Sequence, residues 1–208
     1  VHGGAVSVKK RYRFEDMDVR GTSNMELKEQ IARKALEYVK DGDTIAIDSG
    51  STASLFAMAL KARNFDSLSV ITYSSEVFSI LSECGNYRIT LLGGEYLPKE
   101  KLFYGFLTHE AMQKLYFSKA FVVPSALSVE DGAHDFIRET YENQCMLIGH
   151  ASEVFLLADS TKFETKGDFK LSDLQPEFTI ITDDKLPESV YNMYRDHKDR
   201  LHTKRGCF

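Results

Sequence analysis

Cysteine is sparse in this 208-residue chain: Cys84, Cys145 and Cys207 are odd in number, widely spaced and without any C-x-x-C pair. That pattern excludes a disulfide framework and a structural zinc site, and it points to a reducing compartment, the cytoplasm. Cys84 and Cys145 fall in apolar helical patterns and read as inert core residues. Long apolar runs are equally absent. None approaches the roughly 20 residues that a membrane helix needs, because even residues 154–158 stop at a charge, so neither a membrane span nor a signal peptide is expected. Positive charge is in deficit, with 26 Lys and Arg against 31 Asp and Glu, a formal net charge of −5. Such a chain does not bind duplex DNA by coating it, since affinity for phosphates comes from clustered Lys and Arg. The tail from residue 195 holds five Lys or Arg against two Asp, and it reads as a solvated helix end with a frayed terminus.

Several chemical signatures are also missing. No G-x-x-x-x-G-K-[ST] occurs, no G-x-G-x-x-G follows a strand, and H-x-x-x-H, H-E-x-x-H and G-x-S-x-G are absent. The histidines at positions 2, 109, 134, 150, 197 and 202 show no metal-ligand spacing. No catalytic set, metal or cofactor is therefore expected.

What is present is an alternation of strands and helices in a chain of ordinary globular composition. Ser23-Asn24-Met25-Glu26 fits a capping box opening a helix over residues 25–40, whose apolar face is Leu27, Ile31, Ala35 and Val39, with Gly42 at its end. A β-branched strand (44–48) leads through Ser49-Gly50-Ser51-Thr52 into a helix bearing Leu55, Phe56, Ala59 and Leu60. The unit repeats with a strand (68–72), a helix (74–84) and a strand (88–92) ending in Gly93-Gly94. Farther on come a helix (107–115), a strand (120–123), a helix (137–149), strands (154–158 and 178–182) and a helix opened by Pro187. The fold class is α/β, with a mainly parallel open sheet flanked by helices, in one domain.

In such sheets ligands gather beyond the carboxyl ends of the strands. The loop Asp48-Ser49-Gly50-Ser51-Thr52 puts hydroxyls and a glycine where a helix begins, which suits a phosphate group; the plainer alternative is that Ser51 and Thr52 only cap the helix. Asp48 would repel a phosphate, so it is assigned to ligand hydroxyls, or else to an Asx turn. Thr72-Tyr73-Ser74-Ser75 and Gly93-Gly94-Glu95 reach the same edge, and Lys162, in Asp159-Ser160-Thr161-Lys162-Phe163, offers a positive charge or is merely solvated. Asp131-Gly132-Ala133-His134-Asp135 crowds carboxylates and a histidine at a glycine, but reads as a polar loop between a strand and a helix.

In order along the chain, these residues resemble the DeoR family of bacterial transcriptional regulators. The matching pieces are Val1-His2-Gly3-Gly4-Ala5-Val6, Asp41-Gly42-Asp43-Thr44-Ile45, Asp48-Ser49-Gly50-Ser51-Thr52, Leu91-Leu92-Gly93-Gly94, Gly105, Leu157-Ala158-Asp159-Ser160-Thr161-Lys162-Phe163 and Ile180-Ile181-Thr182-Asp183. The resemblance implies a fold similar to ribose-5-phosphate isomerase and glucosamine-6-phosphate deaminase. It also implies a phosphorylated sugar effector held by Asp48, Ser49, Gly50, Ser51, Thr52, Thr72, Ser74, Gly93, Gly94 and Lys162. Residues 1–20 would be a linker after an absent winged helix-turn-helix head, through which alone operator DNA is contacted. Residues 21–208 would form the effector-binding and oligomerisation domain of a homo-oligomer.

Two departures from the family pattern stand out. Tyr73 takes the middle place of T-N-[SG], and Asn143 stands where a lysine three residues before a methionine is common, so the ligand is expected to differ or to bind weakly. Two other readings compete: a sugar-phosphate isomerase or aminosugar-phosphate deaminase of the same fold, and a dimerisation module with a vestigial pocket. His134 interrupts the isomerase-like D-G-A-D pattern, and no K-G-G-G partner occurs.

Overall fold

A computed structural model describes residues 17–197 and 201–203. The H-G-G-A segment, most of the expected linker, Cys207 and the end of the basic tail lie outside the described residues. Four β-branched or small apolar residues, Thr44–Ile47, make strand β1, followed by helix α3 (Ser51–Arg63) and the parallel strand β2 (Leu68–Thr72). Helix α1 (Met17–Thr22) and α2 (Met25–Leu36) precede this unit, and α4 (Ser75–Leu81) and β3 (Tyr87–Leu91) follow it. After the short antiparallel hairpin β4 (Glu95–Leu97) and β5 (Leu102–Tyr104) come α5 (Phe106–Met112) and β6 (Phe117–Val122).

Strands β7 (Ala126–Ser128) and β8 (Gly132–Asp135) lead to α6 (Arg138–Gly149) and β9 (Ala151–Leu157). The rest comprises a 3-10 turn at Ser160–Lys162, β10 (Phe169–Ser172), β11 (Thr179–Thr182), α7 (Glu188–His197) and β12 (Leu201–Thr203).

The main sheet has the order β12-β11-β9-β6-β1-β2-β3, and all its neighbours are parallel. The chain must then cross back between strands, through an α-helix everywhere except from β9 to β11, so every strand ends on the same edge. Both faces are covered along β1, β2, β6 and β11, which lack polar alternation, whereas the edge strand β3 exposes Arg88 and Thr90 on one face. Ile45 and Ile47 face one core with Phe56, Phe121 and Phe155, whereas Ala46, between them, faces the other with Val122, Leu147 and Leu156. Phe121 stacks on Phe155 with ring centroids 4.8 Å apart and tilts against Phe56 at 4.5 Å. The half-buried Cys84 and Cys145 pack against these two cores. Among the described residues no helix is long and apolar enough to cross a membrane.

Several expectations are corrected. The capping box does not form: Asn24 occupies the cap in the left-handed region (φ 52°) with no side-chain bond, and α2 ends at Leu36, before the expected residue 40. Gly42 does have a positive φ of 86°, but its N–H joins Ser67 O in a turn toward β2. The segment Asp131 to Asp135 is not a polar loop; Gly132–Asp135 is β8, buried throughout in an antiparallel sheet ordered β10-β8-β7. This sheet lacks a clear sequence signal because its strands are only three or four residues long. The basic tail returns as β12 alongside β11 rather than simply fraying after α7. Helix α1 crosses the expected boundary at residue 20 and packs onto the domain through Met17.

Gly132 is where the small sheet tolerates no side chain. Its φ is 95°, and a Cβ there would stand 2.1 Å from Ser172 O. Gly132→Ala is therefore expected to lower unfolding stability by about 2–4 kcal/mol, from left-handed strain plus overpacking. Chemical denaturation would check this, and an unchanged midpoint would contradict it.

Candidate functional site

The strand order reverses at β1: β2 and β3 lie on one side of it, β6 and β9 on the other. A crevice opens at such a switch point because the connections from β1 and β6 leave toward opposite faces. Asp48 closes its floor. Its backbone N–H donates to Phe121 O of β6, and its carboxylate accepts from the Ser49 N–H at 2.6 Å, the Val123 N–H at 2.8 Å, the Gln144 side-chain amide at 2.7 Å and the Tyr73 hydroxyl. The side chain is fully buried. Burial pushes its carboxyl up to about 6, against the Tyr73 hydroxyl, the Val123 and Ser49 amides and the Gln144 amide, which all favour the charged form. The same burial, with the Asp48 charge behind it, drives the Tyr73 phenol well above its ordinary value.

Above this floor Gly50 turns the chain with φ 99°, a conformation that glycine alone adopts without strain, and α3 begins. No side chain caps this helix. Its 13 residues therefore present first-turn N–H groups and the positive dipole end to whatever lies in front of them. Helix α4 differs, because Ser74 Oγ accepts from Val77 N–H at 3.2 Å and caps it. The cavity in front of α3 measures about 30 Å3, room for about two waters. Ser51, Thr52, Ser125, Asp159 and Lys162 line it, and Arg20, Ser23, Asn24 and Lys28 cover it.

Of the residues singled out in the sequence, Ser51, Thr52 and Lys162 are thus brought together at the cavity. Lys162 is set by its 3-10 turn, where Asp159 accepts the Thr161 N–H at 3.0 Å. Asp48, Ser49 and Gly50 form the floor and turn beneath, and the Asp48 oxygens face protein donors. Thr72 is buried scaffold: its hydroxyl donates to Ile47 O at 2.8 Å and accepts the Ser74 N–H at 3.0 Å. Gly93 and Gly94 lie one loop farther out. A Cβ on Gly94 would stand 2.4 Å from Tyr104 O, so that glycine serves close packing of the β4–β5 hairpin.

The two departures are also accounted for. Tyr73 is folded inward onto Asp48, and Asn143 is fully buried, donating to Phe103 O at 2.8 Å while its carbonyl oxygen meets His109 Nε2 at 3.1 Å.

Arg20, Lys28 and Ser125 were not foreseen. Lys28 had left one trace in the sequence: it shares the buried stripe of α2 with Ile31, Ala32 and Ala35. A lysine in an apolar stripe needs partners, and its Nζ donates to Ser23 O at 2.8 Å and to Arg20 O. Ser125 donates at 3.0 Å to the buried Asp135, whose other oxygen takes the Phe136 and Ile137 N–H groups at 2.7 and 2.9 Å. Among the described residues no group of three or more His, Cys, Asp or Glu is arranged to hold a metal.

Fold and crevice together define an α/β domain with an anion-suited pocket at the switch point of a parallel sheet. Residues 23–184 match the DeoR C terminal sensor domain family, and the chain belongs to that family. The lactose phosphotransferase system repressor of Lactococcus lactis subsp. lactis is 36% identical over 186 residues, covering 89% of this chain and 72% of the repressor. The L-fucose operon activator of Haemophilus influenzae is 31% identical over 200 residues, covering 94% and 78%.

Among solved structures, ribose 5-phosphate isomerase A from Methanocaldococcus jannaschii superposes with a TM-score of 0.51 at 19% identity, over 69% of this chain and 56% of the enzyme. The chain thus spans little more than half of that enzyme. The eIF2B beta protein of Chaetomium thermophilum superposes with a TM-score of 0.52 at 15% identity, over 83% of this chain and 54% of that protein. These two likenesses concern the fold alone.

The Asp48 hub makes a prediction with a definite sign. An unfolded aspartate titrates near pH 4 (about 3.9), so a folded value of about 6 means that the folded state holds the proton more tightly. The resulting stabilisation is complete below pH 4 and is lost as pH rises through 6. Asp48→Asn should flatten this pH dependence. At pH 7 it should cost about 2–4 kcal/mol, because its amide turns N–H toward donors that need an acceptor. Urea midpoints across pH 4–7 would show both effects, and parallel curves for the two proteins would refute them.

Proposed function

We propose that this domain senses a phosphorylated sugar and thereby controls DNA binding by a head that precedes it. The observation that carries the reading is the uncapped start of α3, with Ser51 and Thr52 in the cavity and Lys162 facing them. Free N–H groups, a dipole end and the Lys162 cation suit an ester dianion, and the Asp159 carboxylate at the same cavity is taken up by the Thr161 N–H and hydroxyl. Membership of a sensor-domain family and the names of the two regulators point the same way.

In this reading Ser51, Thr52 and Lys162 hold the phosphate. Asp48, Ser49, Gly50, Thr72 and Ser74 fix the turn that presents it, and Gly93 and Gly94 shape the neighbouring rim. The domain works as a homo-oligomer, and the exposed Phe106 and Leu107 at the start of α5 are the kind of apolar surface that a second copy covers. The ligand acts by favouring one arrangement of subunits, and its effect is bounded by its preference for that arrangement.

The isomerase alternative has less support. In this protein Gly132–Asp135 is an enclosed strand, and the Asp135 carboxylate is committed to Ser125 and two backbone amides.

Sugar phosphates, but not the parent sugars, should raise the melting temperature of the purified chain, as mass action demands of a ligand for the native state. Lys162→Ala should abolish the shift. A panel of hexose and pentose phosphates giving no shift at millimolar concentration would refute the reading, and turnover of ribose 5-phosphate or glucosamine 6-phosphate would replace it with the enzyme.

A further inference from the structure

Helix α1 and the first turn of α2 run across the cavity, and the cations they bring are unlike ordinary surface charges. Arg20 is enclosed, its side chain 13% exposed, and it pairs through Nη2 with Oε2 of Glu100, itself only 6% exposed. The other edge of the same guanidinium points to the cavity turn: Nη1 lies 3.8 Å from where a Cβ on Gly50 would stand. A guanidinium carries donors on two edges in a rigid fork, so one edge can be held by a carboxylate while the other addresses an anion oxygen.

Glu100, in the turn between β4 and β5, holds Nη2 and so fixes the guanidinium while Nη1 lies beside Gly50. Lys28 Nζ meanwhile binds the carbonyls of Arg20 and Ser23 near the end of α1, where helical carbonyls lack partners within the helix. The strap is thereby clamped onto α2.

We propose that Arg20, oriented by Glu100, is a ligand-binding residue that closes over a phosphate ester seated at the start of α3, with Lys28 as the positioning residue that holds α1 across the cavity. This rests on the phosphate-sensing reading and extends it. Arg20, Lys28 and Lys162 bring three cations to the cavity against the one carboxylate of Asp159, a balance that favours a dianionic phosphomonoester over a monoanionic carboxylate of similar size. Because α1 carries Arg20, an occupied pocket ties down the element through which the chain enters the domain. Occupancy is thereby converted into added order at α1, which Glu100, Lys28 and the packing of Met17 already hold to the domain.

The test uses the 208-residue chain with inorganic phosphate as probe, reading affinity by titration calorimetry and the hydrogen exchange of the α1 amides with and without phosphate. Arg20→Ala should weaken phosphate binding about tenfold or more, the loss expected for hydrogen bonds to a charged group. Arg20→Lys should recover part of it, keeping charge without the fork, and Glu100→Gln should weaken it less than Arg20→Ala. Phosphate should slow exchange in α1 of the parent protein and leave it unchanged in Arg20→Ala.

Undiminished affinity in Arg20→Ala, with binding lost in Lys162→Ala, would overturn this proposal and leave the phosphate site standing. Absence of phosphate binding by the parent protein would overturn both. Should Arg20→Ala fail to fold, the parent protein decides: exchange in α1 that phosphate does not slow overturns the proposal.

Discussion

A single buried carboxylate holds the switch point of the sheet together. Asp48 ends β1 and accepts hydrogen bonds from its own turn, from Val123 after β6, from Tyr73 after β2 and from Gln144 on α6. Four separate parts of the chain thus converge on one group. Burying it is costly, and the raised pKa is the direct expression of that cost. The donors offset it together, and removing any one of them would leave the buried carboxylate less well compensated. The cavity walls stand on this hub: Ser49 and Gly50 follow it directly, and α3 starts where they end.

The contrast between two neighbouring helices explains why the pocket lies where it does. Both α3 and α4 follow a parallel strand and begin with hydroxyl residues, but Ser74 caps α4 while no side chain caps α3. The difference follows from Gly50, whose positive φ carries the chain into the helix without bringing a hydroxyl behind the first turn. Helix α4 is sealed as scaffold, and α3 keeps its dipole end open to the cavity.

The positions at which the chain departs from the DeoR pattern have been absorbed into structure. Tyr73 donates to Asp48, adding a donor to the hub. Asn143 ties α6 to β5 and α5 through Phe103 O and His109, where a lysine would have brought a charge. The cations around the cavity come instead from α1, α2 and the turn after β9.

Much of this architecture was legible along the chain. Strand β2 falls on the expected residues, and β1, β3, β6, β9 and β11 within a few, because each carries a short apolar stretch bounded by turn or charged residues. The glycine and hydroxyl residues at Gly50, Ser51 and Thr52, and the lysine after Asp159, were visible for the same local reason: backbone conformation and helix starts are set by the residues that adopt them. The β7–β8–β10 sheet was not legible, since its strands are only three or four residues long and β10 joins β8 across more than thirty residues of chain. Nor were the roles of Asp48, Arg20 and Lys28. Whether a carboxylate meets a ligand or four protein donors, and whether a lysine is solvated or clamped, depends on which distant segments arrive beside it; the strand order settles this, and no local pattern encodes it.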